Sequence, residues 1–128
     1  MTTSPERFPP GIAAAVRHFN AGRFFEAHEA FEALLDQVES DARWELAVAL
    51  VQVAVAYHKA SGGHPGVERM LGLGAGKLAS FPPVAYGIDV EALRRRIADD
   101  MAALARDGTL RARLTDDPPR ITMRGNAS

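Results

Sequence analysis

Arg43-Trp-Glu-Leu-Ala-Val-Ala-Leu-Val-Gln-Val-Ala-Val-Ala-Tyr-His-Lys59 decides the fold, because it reads either as a buried strand or as a central helix. Valine is frequent, which favours a strand. Length and the repeated alanines favour a helix. Read as a helix, it carries almost no wet face from Leu46 to Ala56. A soluble helix of that kind is packed on several sides. Gln52 then falls inside the most buried element and needs a hydrogen-bond partner. Tyr57 and His58 close the segment.

Upstream, Glu39-Ser-Asp41 is a polar break in which Ser40 or Asp41 can cap the central helix. Before it, Arg23 to Val38 forms an amphipathic helix. Phe24, Ala27, Phe31, Leu34, Leu35 and Val38 share one side of the wheel, and His28 is placed in that apolar arc. Glu32 lies about 40° from His28, so the two can touch at i,i+4. Glu29 points further out. Asn20-Ala-Gly22 separates this helix from an earlier one, whose face is Ile12, Ala15, Val16 and Phe19. Met1 to Pro10, polar and proline-bearing, reads as a flexible lead-in without the apolar segment of a secretion signal.

Downstream, Ser61-Gly-Gly-His-Pro-Gly66 is a loop. A fourth helix runs from about Gly66 to Ala79. Its glycines (Gly72, Gly74 and Gly76) call for a physical reason such as close approach by another helix. Phe81 to Gly87 is a second loop. Asp89 caps a fifth helix with the stripe Val90, Leu93, Ile97, Met101 or Ala103, and Leu104. Arg94, Arg95 and Arg96 are expected on its outer face, with Asp99 and Asp100 within i,i+4 reach. Asp107-Gly108 ends it, Leu110 and Leu114 suit one short turn, and residues 115–128 form an extended tail whose Ile121 and Met123 can still dock on the body. The expected architecture is an all-α, compact bundle of about five helices around the central apolar helix. It has a lead-in at 1–10, one domain at 11–114 and a tail at 115–128.

The 128 residues fit one domain by length, with no cysteine and a net charge of −1. The missing cysteine excludes disulfides, thiolate zinc sites and cysteine nucleophiles, and a cytoplasmic location is expected. The charge gives no footprint for nucleic acid. The longest apolar run, Leu46 to Tyr57, is too short to span a membrane.

His28-Glu29-x-x-Glu32 is the densest group of chemically able side chains. Metalloprotease helices place two metal-binding histidines one turn apart with a glutamate base. Here Glu32 stands at the second position. A metal reading therefore takes His28 and Glu32 as ligands, with His58 (or Gln52) on the central helix as third ligand and Glu29 as candidate catalytic base. It makes the chain a metal-dependent hydrolase with a divalent metal as cofactor. The other reading is a binding or structural module, with a buried polar cluster of His28, Glu29 and Glu32, neighboured by Gln52, Tyr57 and His58, that fixes helix packing. His58 and His64 flank the glycine-rich loop and could border a small-molecule pocket. The glycine-rich face of the fourth helix could mate with a second copy in a homo-oligomer.

Phe19-Asn-Ala-Gly-Arg-Phe-Phe-Glu-Ala-His-Glu-Ala-Phe-Glu32 resembles the signature of a family of small helical domains of unknown function, numbered 309. The shared pattern is an asparagine-x-glycine turn, an aromatic-Glu-x-His-Glu core and a glutamate three residues on. The central helix with Gln52 and Tyr57-His58 is similar too, as are the Gly66-led helix and the Gly87-x-Asp89 start. The resemblance covers about residues 12 to 105. It implies an all-α fold, supplies no reaction, and carries over His28, Glu29 and Glu32 as the motif positions.

Overall fold

The computed structural model describes residues 7–39 and 41–124. Six helices are present among them: α1 Gly11–Asn20, α2 Phe24–Leu34, α3 Ala42–Ser61, α4 Val67–Leu78, α5 Val90–Asp107 and α6 Arg111–Asp116. The fold is all-α, with one two-residue hairpin, β1 Val84–Ala85 and β2 Ile88–Asp89. None of the described helices is long and apolar enough to cross a membrane.

The segment Arg43–Lys59 is helical throughout and is the hub: α2 and α4 both pack along α3. Asp41 caps it, accepting from the Arg43 amide at 2.8 Å. The alternative cap, Ser40, lies outside the described residues. Leu46, Leu50, Val53 and Tyr57 are shut from solvent and join Phe19, Phe24 and Phe31 of the first two helices in one core.

Of the α4 glycines, Gly74 has the expected reason. A Cβ there would lie 2.7 Å from Val53 Cγ2 and 3.6 Å from the Ala49 carbonyl, so α4 seats its backbone directly on α3. Gly76 meets nothing within 4 Å.

Four expectations need correction. First, α2 stops at Leu34, not Val38. The Leu35 amide bonds Glu32 O and the Gln37 amide bonds Leu34 O, so three-residue bonds tighten the chain into turns before α3. Second, the Phe81–Gly87 loop contains a hairpin. Tyr86 and Gly87 both have positive φ, 51° and 85°, as a tight two-residue hairpin turn requires. Third, α6 reaches Asp116, while the tail beyond it docks through Ile121 and Met123 as expected. Ile88 bridges Met123, the Asp89 amide bonds Thr122 O, and Ile121 is buried. Fourth, Phe8 in the lead-in is buried and meets Tyr86 edge-on at 6.2 Å.

Asn20 does more than close α1. Its Oδ1 accepts from the Ile121 amide at 2.7 Å and its Nδ2 donates to the Ile121 carbonyl at 3.0 Å. Asp89 caps α5 by accepting from the Ala92 amide at 3.0 Å and takes a second bond from Arg124 Nη2 at 2.8 Å. The bond from Ala92, outweighing burial and assisted by Arg124, holds its carboxyl below the usual range.

Candidate functional site

The glutamates of the α2 motif face outward, and His28 sits at the edge of the core. The buried positions Phe24, Ala27, Phe31 and Leu34 centre the apolar stripe roughly 80° away from His28 on the wheel. The placement of His28 inside that stripe is therefore corrected. Its side chain is 25% exposed, and Nε2 lies 2.9 Å from Glu32 Oε2, whose side chain is 60% exposed. Glu29 is exposed.

Phe25, on the same flank, is unusually open for a phenylalanine at 47%. Its ring centroid is 5.9 Å from that of His28 and 5.5 Å from that of His58, which is exposed in the last turn of α3. Phe25 thus joins the α2 motif to the end of the central helix. His28, Glu32 and His58 share this patch through it. Among the described residues no three His, Asp or Glu side chains gather closely enough to hold a metal ion.

Gln52 and Tyr57 go elsewhere. Gln52 lies about 120° around α3 from His58. Its Oε1 is shielded from water and has no donor among the described residues. Tyr57 points into the core, where its hydroxyl donates to Asp100 Oδ2 at 2.5 Å.

That contact opens a second constellation. Asp100 has no solvent exposure, yet it sits mid-way along α5. Arg96 Nε donates to its Oδ2 and Arg113 Nε to its Oδ1, each at 2.8 Å. Arg96 also donates to the Asp117 carbonyl just past α6. One carboxylate therefore ties α3, α5 and α6 together. Burial, reinforced by the Asp100 charge and hydrogen bond, drives the Tyr57 phenol far above its usual range, so it remains a donor. The hydrogen bond to Asp100 raises Arg113 as well.

The outer-face reading of the arginine run holds for Arg94 and Arg95, which are exposed, and fails for Arg96, whose side chain is only 15% exposed. A sequence signal for the knot did exist. Leu93, Ile97, Asp100 and Leu104 keep the stripe's own spacing, so Asp100 occupies a core position with an arginine one turn before it.

The glycine-rich loop after α3 borders an open cleft of about 360 Å³, lined by His64, Gly66, Glu68, Leu104 and Thr109 among others. His64 faces it; His58 is not part of its lining.

No curated protein matches the chain. Residues 12–71, from α1 through the start of α4, match the model of the family described as a domain of unknown function, DUF309. That span holds the whole His28-Glu29-x-x-Glu32 motif, Phe25, Gln52 and His58, and over it the chain is similar to that family.

Proposed function

We propose that this domain is a binding or structural module whose contact surface is the patch of Phe25, His28, Glu32 and His58. The exposed Phe25 ring between two imidazoles, on the motif that marks the family, carries this reading. An aromatic side chain left open to solvent beside polar rings is the composition of a contact surface. Internal packing gains little from the His28–Glu32 pair, since an exposed i,i+4 pair contributes roughly 0.3–0.5 kcal/mol.

Calorimetric titration with Zn²⁺, Mn²⁺ and Ni²⁺ tests the reading. A module gives no stoichiometric heat that His28→Ala abolishes, and EDTA leaves its melting temperature unchanged. A one-to-one metal site lost in His28→Ala, together with hydrolysis of an ester or phosphoester that needs Glu29, favours the metal-dependent hydrolase instead.

A further inference from the structure

The central helix keeps an apolar seam on its outer side. Trp44, Val48, Val51 and Val55 follow one another at intervals of four, three and four residues, and His58 continues the series. On the wheel the first four fall within about 60°, centred opposite Leu46, Leu50, Val53 and Tyr57. All four are half-buried, and Trp44, Val48 and Val55 lie outside the core cluster. Solvent-facing positions of a central helix ordinarily carry charge.

Phe25, exposed among the described residues, borders this seam. Phe25 reaches it through His58. Leu73 lies one turn before Lys77, whose Nζ is 3.7 Å from Glu45 on the seam's other flank.

That flank identifies the occupant. Glu45, Gln52 and Lys59 recur every seven residues, with the acid in the first turn of α3, the amide at its middle and the base in its last turn. The series is complementary to itself when run backwards. We propose that a second copy of this chain packs its α3 antiparallel on this seam, about a two-fold axis at Val51–Gln52. Glu45 then faces the partner's Lys59, Val48 meets the partner's Val55, and the helix dipoles oppose. The partner surface is thereby placed on α3, beside the Phe25–His58 patch, and not on the glycine face of α4, where Gly74 is occupied by Val53. This rests on reading the domain as a binding module and names what it binds.

Sedimentation velocity over a range of protein concentrations tests it. Wild type is expected to run as a dimer and Val51→Glu as a folded monomer. Glu45→Lys or Lys59→Glu alone should weaken dimerisation about tenfold, because two flank pairs turn repulsive. The double variant should return to within about twofold of wild type. A wild type that is monomeric at every concentration overturns the proposal. So does a dimer that Val51→Glu leaves intact, or a double variant weaker than both single ones. Should Val51→Glu lose its circular-dichroism helix signal, the charge-reversal series decides alone, since both of its sites lie at the surface. Loss of the dimer would leave the metal and chelator results untouched, so the two readings fail separately.

Discussion

Asp100 concentrates more polar contact than any other side chain described here: a phenol and two guanidinium groups converge on one solvent-free carboxylate. Removing the acceptor strands three donors. Asp100→Ala should therefore lose about 3–5 kcal/mol, the cost of breaking a buried ion pair from one side. Tyr57→Phe removes one donor and leaves both arginines in place, so its loss should be near 1–2 kcal/mol. Urea denaturation of the two variants checks the order, and a reversed order would discard the account.

The same contact gives a pH signature. Folding raises the Tyr57 pKa, so its contribution is complete below the unfolded value of about 10 and fades as pH climbs past it. Stability should fall more steeply above that pH in wild type than in Tyr57→Phe. The i,i+4 spacing of Arg96 and Asp100 was legible in the sequence. Their inward direction was not, because an aspartate on a core stripe reads as an interruption until a tyrosine from 43 residues away is seen to meet it.

At the scale of elements, the α3–α4 contact turns on the missing Cβ of Gly74. Its nearest obstacle is a β-branched side chain with one strongly preferred rotamer in a helix. Gly74→Ala gains helix propensity of up to about 1 kcal/mol but forces the helices apart, at roughly 1–3 kcal/mol. The net effect should be destabilising. Gly76→Ala, with open space around it, should instead stabilise by up to about 1 kcal/mol. Thermal melts of the two variants should therefore shift in opposite directions; shifts of the same sign would show that propensity and not contact governs this helix.

Periodicity and bracketing Gly, Asn or Asp located α1, α4 and α5, while α3, apolar nearly all round, was legible from its length and its alanines. It overran α2, since Leu35 and Val38 continue the apolar spacing although the backbone has already tightened into turns. The hairpin was illegible for a different reason. Two-residue strands carry no period, and a left-handed Tyr86 has no mark in the sequence.

At the scale of the whole molecule, Asn20 couples the beginning of the chain to its end. It sits 101 positions from Ile121 and satisfies both backbone groups of that residue, much as a neighbouring strand would. The tail then runs on beside β2, bonded at Asp89–Thr122 and Arg124–Gly87. The sequence marked Asn20 as a helix stop and could not show this second use, since a residue in a turn betrays no distant partner. Asn20→Ala leaves the Ile121 amide and carbonyl without protein partners at a partly buried site, a loss of about 1–3 kcal/mol.

The loss should also be spatially selective. If Asn20 anchors the tail, hydrogen exchange in Asn20→Ala should speed up at Ile121, Asp89 and Arg124 together, because the tail lifts from β2 as one unit. Amides in the middle of α3, which open only with the whole fold, should then change only as much as the global stability does. Exchange that rises at Ile121 alone would mean that the buried Ile121 side chain holds the tail down without help from Asn20. In that case the ends of the molecule would be joined by apolar packing, and the asparagine would serve only the turn between α1 and α2.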